Sequence, residues 1–169
     1  MRRLLVLLGF LLLPVGAQAE DFSQGAVLVV AGDNHAQDGG PTKVFDNARK
    51  DLVKAFAGMG FAPANTEQFA VNTDSAARPA EFGSIAGALW DLSSRAPAGC
   101  LIYFTSHGTP DGIGVGSAVV APNKMAAMVN NSCGSKPAVI VMSACYSGQF
   151  VPVLARENRI VITAARPDR

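Results

Sequence analysis

Residues 138–148, Ala-Val-Ile-Val-Met-Ser-Ala-Cys-Tyr-Ser-Gly, form a short apolar run that stops abruptly at a cysteine followed by small residues. A run this brief and this continuously apolar predicts a strand buried on both faces, as in a parallel sheet covered by helices. Its exit carries Cys145. An earlier stretch has the same design: residues 100–108, Cys-Leu-Ile-Tyr-Phe-Thr-Ser-His-Gly, predict a strand that delivers His107 to its exit. Parallel neighbours lie about 4.8 Å apart, so adjacent strands of this kind bring a thiol and an imidazole to one crevice at their carboxyl ends. That is the arrangement of an activated thiol nucleophile.

The remaining chain predicts the sheet that such strands need. Residues 26–31, Ala-Val-Leu-Val-Val-Ala, read as a third buried strand, ending at Gly32-Asp33-Asn34-His35. After a loop to Pro41, Thr42 is placed to cap a helix in which Phe45, Leu52, Val53, Phe56 and Met59 recur at helical spacing, with Gly60 as its stop. Residues 61–70 predict a weaker strand, interrupted by Pro63 and Asn65. A polar loop over 71–79 leads to a helix marked by Phe82, Ile85, Leu89 and Leu92. Beyond His107, residues 108–112 predict a turn and 113–120 a small hairpin, and Pro122 opens a helix carrying Met125 and Met128. A helix from about Ser147 to Ala155 and a last strand over 159–164 follow. Alternation of strands and helices implies βαβ units: an α/β fold with a mostly parallel sheet and flanking helices. Little remains after residue 164 to cover the sheet's last edge, which reads as a domain cut short at its C-terminal side.

The N-terminus sets the compartment. Arg2 and Arg3 precede the apolar run Leu4 to Leu13, and Ala17-Gln18-Ala19 supplies a small-x-small cleavage signal, so residues 1–19 read as a secretory signal peptide and 20–169 as a single domain. The apolar run is shorter than the roughly 20 residues a membrane-spanning helix needs. Cleavage removes two arginines and no acid, leaving 12 basic side chains against 13 acidic and a net charge of −1. Nothing in that balance favours nucleic acid or an anionic membrane. The expected protein is periplasmic or secreted, with no stable membrane insertion.

Export also bears on the three cysteines, because thiols in an oxidising compartment tend to pair. Cys100 and Cys133 each precede a predicted strand, at what would be the same edge of the sheet. They are expected to pair and leave Cys145 free at the opposite edge; three unpaired cysteines is the alternative, since sequence cannot fix connectivity. Two histidines and three cysteines at these separations match no zinc-site spacing, and neither metal nor cofactor is expected.

A thiol of ordinary pKa near 8.5 is mostly protonated at neutral pH and needs help to become a nucleophile. Cys145 at a strand-to-helix junction would have a helix N-terminus behind it. His107 would manage protons. The main-chain amides of Gly108 and Cys145 would form an oxyanion hole for acyl transfer. A lone buried cysteine is usually a small hydrophobe and a lone histidine usually a surface or capping residue; it is their matching positions at two strand exits that favour chemistry. His35 reads as a surface histidine. Asp33 would either cap a turn or bind a substrate cation, the turn being slightly favoured. Ala-Cys-Tyr-Ser-Gly superficially suggests a nucleophile elbow, but in that fold the triad histidine follows the nucleophile, and here none does.

Thr105-Ser106-His107-Gly108 and Ser143-Ala144-Cys145-Tyr146-Ser147-Gly148, each after a hydrophobic strand, resemble the two catalytic blocks of the legumain-like cysteine peptidases. Val29 to Asn34 resembles that family's first strand and loop, and Val161 to Arg166 the strand after the nucleophile, so the likeness covers most of residues 25–169. The resemblance implies the caspase-haemoglobinase fold, a three-layer sandwich, and a dyad of His107 and Cys145. It also implies that Asn34 orients the histidine and that Gly108 lends its amide to the oxyanion. Two substrate-pocket acids of animal and plant legumains fall on Ser143 and Ser106, and no arginine stands at the pocket position after Asn34, so asparagine specificity does not carry over. The expectation is an exported cysteine peptidase that forms an acyl-enzyme on a peptide or protein substrate. The alternatives are a non-catalytic peptide- or partner-binding domain of the same fold, and a thiol acyltransferase acting on envelope substrates.

Overall fold

The computed structural model describes residues 21–169; the predicted signal peptide lies outside the described residues. Six strands form one parallel sheet: β1 (Gly25–Ala31), β2 (Thr66–Ala70), β3 (Arg78–Pro79), β4 (Gly99–Thr105), β8 (Ala138–Ser143) and β9 (Arg159–Thr163), in the order β3-β2-β1-β4-β8-β9. Between β4 and β8, β5 (Gly108–Thr109), β6 (Gly112–Val115) and β7 (Ala118–Val120) make a separate antiparallel sheet. The helices are α1 (Val44–Gly58), α2 (Phe82–Arg95), α3 (Pro122–Cys133) and the single turn α4 (Val151–Leu154). This mixed α/β architecture with an all-parallel central sheet accords with the expected three-layer fold.

Alternation along the strands divides the sheet into two faces. Ala26, Leu28 and Val30 of β1, Ile102 and Phe104 of β4, and Ile140 and Met142 of β8 pack in one cluster with Ile85, Leu89 and Leu92 of α2 and Met125 and Val129 of α3. Every residue of β1 is buried, because α1 lies on its other face. The β8–β9 half of that second face is less covered, and Ile160 and Ile162 of the edge strand stay 60% and 50% exposed.

Several expectations need adjustment. Pro63 to Asn65 form a 3-10 turn rather than strand, which shortens β2 to five residues, as a missing proline donor would require. Arg78–Pro79 adds a two-residue strand beyond β2, where a proline is tolerated because the edge asks nothing of its nitrogen. The cap of α1 is Lys43, with the Thr42 hydroxyl accepting the Val44 N–H at 3.3 Å, and Met59 lies 61% exposed past the helix end. The expected helix after Cys145 is a 3-10 turn, Ser147–Phe150, running into α4, with Pro152 in its first turn.

Cys100, near the start of β4, and Cys133, the last residue of α3, are joined by a disulfide with Cα atoms 6.2 Å apart. It fastens the helix that leads into β8 to the neighbouring strand, at the edge opposite Cys145. The bridge closes a loop of 33 residues in sequence separation. Chain entropy assigns such a closure about 3–4 kcal/mol. The Cys100→Ser, Cys133→Ser double variant should therefore lose about that much in urea unfolding, and wild type in reductant should match it; a loss under about 1 kcal/mol would refute the entropic account.

Candidate active site

The site begins where the β4–β8 ladder ends. Thr105 pairs with Ser143, and the Ser106 N–H continues the register by donating to the Ser143 carbonyl at 3.2 Å. His107 and Cys145, two residues past Thr105 and Ser143, thus leave the sheet at the same level. The two exits touch. A Cβ at Gly108 would fall 1.8 Å from the Cys145 carbonyl oxygen and 3.1 Å from its nitrogen, so no side chain fits there. Gly114 N–H donates to the His107 carbonyl at 2.9 Å, which makes His107 and Gly114 a bonded pair of the hairpin ladder. Bonded and non-bonded pairs alternate, so the Gly108 N–H next along points away from β6.

Cys145 is a free, exposed thiol. The chain turns sharply behind it: Tyr146 sits in the left-handed region at φ 55°, unusual for a bulky residue, and its N–H donates to the Arg169 carbonyl at 2.8 Å. The fully buried Ser147 accepts the Ala165 N–H on its hydroxyl at 3.0 Å. Gly148 lies so close to the Arg166–Pro167 main chain that a Cβ would come within 2.6 Å of the Pro167 nitrogen.

The His107 ring is held from two sides. Its Nε2 lies 2.9 Å from the main-chain carbonyl of His35, and Phe45 of α1 packs edge-on with ring centroids 5.1 Å apart. A carbonyl only accepts, so Nε2 carries the hydrogen and the neutral ring keeps its lone pair on Nδ1. The oxygen that holds the ring is thus a backbone atom of residue 35, not the Asn34 side chain. Asn34 is bonded elsewhere: its Nδ2 donates to Asn72 Oδ1 at 3.0 Å, while its own Oδ1 is buried without a partner.

Asp33 makes the turn that presents the His35 carbonyl. One carboxylate oxygen, Oδ1, accepts the Asn34 N–H at 2.7 Å, the His35 N–H at 2.9 Å and the His35 ring Nδ1–H at 2.8 Å. Partial burial works against its ionisation, but these hydrogen bonds and the nearby His107 charge outweigh burial and hold the carboxyl below its usual range. That oxygen serves the turn rather than a substrate cation. The His35 ring itself is exposed, as expected of a surface histidine. Ser106, the other position expected to line a substrate pocket, is buried at 4% exposure, with its unpaired hydroxyl 3.0 Å from where a Cβ on Gly32 would stand. It faces the packed junction of β1, β4 and β6. Ser143 is half-buried at the end of β8.

Behind Asn72, the loop after β2 is pinned by Arg49, a fully buried arginine on the inward side of α1. Arg49 meets Asp46 at 2.8 Å, Asp74 at 2.7 Å and the Gln68 side chain, while Lys50 closes the network on Asp46 at 2.7 Å. A buried cation is tolerable only when paired this completely. The Asp74 carboxyl is lowered from 3.8 to about 2, first by the Ala76 N–H it accepts and then by Arg49. At Asp46 burial opposes the same shift, and Lys50 and Arg49 outweigh it. Arg49, the Phe45–His107 contact and the His35 carbonyl carry no sequence signal: an arginine among apolar positions at helical spacing suggests a solvated face, Phe45 reads as the apolar face, and no residue type announces a backbone oxygen.

A family model described as the Peptidase C13 family matches residues 84–169. The matched segment runs from within α2 through both strand exits and so contains His107 and Cys145; the loop bearing Asp33, Asn34 and His35 lies before it. No curated protein matches the chain.

Two outcomes follow from this geometry. Asp74 is ionised more readily in the folded protein than unfolded, so its contribution is fully present above about pH 4 and lost as pH falls toward 2. Wild type should exceed Asp74→Asn in stability at pH 6, and the gap should close by about pH 2; a gap constant across that range would remove the ion pair as its cause. Gly108→Ala forces the two exits apart by about 1 Å or more, and Cys145 alkylation should slow by about 100-fold with the fold retained by circular dichroism. An unchanged rate would show that the close approach is dispensable.

Proposed function

The chain belongs to the peptidase C13 family, the legumain family of cysteine peptidases, and from that premise we propose that it is an exported peptidase hydrolysing peptide bonds with Cys145 and His107. The observation that carries the assignment of residues is the main-chain contact between Gly108 and Cys145, which makes the histidine exit and the cysteine exit one cleft.

The chemistry follows from where each proton sits. With Nε2–H committed to the His35 carbonyl, Nδ1 is the nitrogen free to take the Cys145 proton. The thiolate attacks the scissile carbonyl carbon, an S–C bond forms, and the carbonyl electrons move to oxygen. Gly108 N–H, aimed out of the hairpin, and Cys145 N–H receive that oxyanion. Collapse breaks the C–N bond, and the proton on Nδ1 goes to the departing amine, leaving a thioester. Water then gives one proton to His107 and its oxygen to the acyl carbon; the C–S bond breaks, and the acid leaves with the thiol restored.

Protein substrates follow from the family, and Ser143 at the end of β8 is the residue proposed to face them. Ser106, being buried in the junction of β1, β4 and β6, does not. Export rests on the signal peptide pattern at residues 1–19. No helix of the described residues is long and apolar enough to cross a membrane.

Labelling with iodoacetamide at pH 7 tests the assignment. Cys145 should react quickly in the wild type and at least about 100-fold more slowly in His107→Ala, the usual size of a lost proton-transfer partner. Cleavage of a peptide library should vanish in Cys145→Ala. Slow labelling that is indifferent to His107 would overturn the dyad.

A further inference from the structure

The parallel ladder stops at the Ser106–Ser143 bond, yet the proposed reaction needs residues beyond it to keep a fixed separation. One side chain spans that gap. Gln149, in the 3-10 turn after Cys145, donates from Nε2 to the Thr109 carbonyl at 2.8 Å and to the Tyr146 carbonyl at 3.0 Å. Thr109 lies two residues past His107 and Tyr146 one past Cys145. Both partners are carbonyls, which only accept, so the amide nitrogen must face them and both of its hydrogens are used.

We propose that Gln149 is a positioning residue for the Cys145–His107 reaction, its side-chain amide setting the separation of the two catalytic turns. This rests on the peptidase reading above. The brace is anchored at its own end: the Gln149 main-chain N–H also donates to the Tyr146 carbonyl, at 3.1 Å, and the next residue, Phe150, is fully buried. Two bonds to one carbonyl hold Tyr146 in its left-handed conformation, which sets the direction in which Cys145 leaves the strand. The other ties on this turn, Tyr146 to Arg169 and Ser147 to Ala165, pull it toward the segment after β9. Gln149 is the side chain that ties it toward the histidine. Because Gln149 is half-buried, water does not freely replace either bond; removing the donors cuts the tie to the Thr109 carbonyl and leaves Tyr146 held by the main-chain N–H alone.

The tests use isosteres. Gln149→Met keeps the length and removes both donors; Gln149→Glu turns a carboxylate toward two carbonyls. Gln149→Lys returns several donors on a chain of similar reach. Alkylation of Cys145 by iodoacetamide at pH 7 should slow by about 10–100-fold in the Met and Glu variants, the order expected for an ångström-scale misplacement, and recover at least half of the wild-type rate in the Lys variant. On a peptide that the wild type cleaves, kcat should fall in the Met variant with KM within about twofold. A Met variant that alkylates within about twofold of wild type, or a Lys variant no faster than Met, would overturn the proposal. Should Gln149→Glu not fold, the Met and Lys pair decides the matter. A wild-type rate indifferent to His107→Ala would instead topple the peptidase reading itself, so the two failures are distinct.

Discussion

The steric fit between two backbones governs this molecule. Where β4 and β8 leave the sheet, the main chain at Gly108 runs against the main chain at Cys145 with no room for a methyl group between them. Such an approach is possible only because the strands are parallel, adjacent and in a register that ends both at the same level. The consequence is spatial: the main chains that carry His107 and Cys145, from segments nearly forty residues apart, meet at one point. The rest of the fold serves to keep that register. Burial of β1 on both faces, the α2–α3 layer and the disulfide at the far edge all restrain sliding of one strand past the next. A slip of one residue would turn every side chain to the wrong face.

Around this junction the restraints are polar and layered outward. His107 is fixed by the His35 carbonyl, and that carbonyl by the Asp33 turn. Asn34, from the same turn, reaches Asn72 in the loop after β2, and Arg49 clamps that loop through Asp74. Each tie is modest alone, but they form a chain of contacts running from a buried guanidinium to an imidazole. The cysteine side is organised differently, through main-chain bonds to the segment after β9 and the Gln149 amide. Histidine and cysteine thus rest on separate supports that meet at Gly108.

The strands were legible from sequence wherever burial on both faces left an uninterrupted apolar run, as in 26–31, 101–105 and 138–143. The match of Thr105–Ser106–His107–Gly108 to Ser143–Ala144–Cys145–Tyr146 in design also made the two exits readable, because small residues after a strand announce close backbone approach. The polar residues were harder. Ser106 is placed in the substrate pocket by analogy with an acid at its position, whereas the packing of Gly32 and Gly114 draws the serine inward; of the two roles open to Asp33, the turn claims one oxygen of its carboxylate. The helix expected after Cys145 keeps its span, but its first turn is 3-10 and follows a left-handed Tyr146, and a φ sign is not written in residue type. Arg49 was invisible because its charge suggested solvent, while two of its partners lie 19 and 25 residues further along the chain.

The bond from His107 to residue 35 has a consequence for how this protein can vary. Its acceptor is a peptide oxygen, supplied equally by any amino acid. A substitution scan would pass over position 35 as tolerant, and drift there would leave the tautomer of the imidazole untouched so long as the turn keeps its path. The genetic burden of steering the proton therefore falls upon Asp33, whose carboxylate bends the chain, rather than upon the residue that touches the ring.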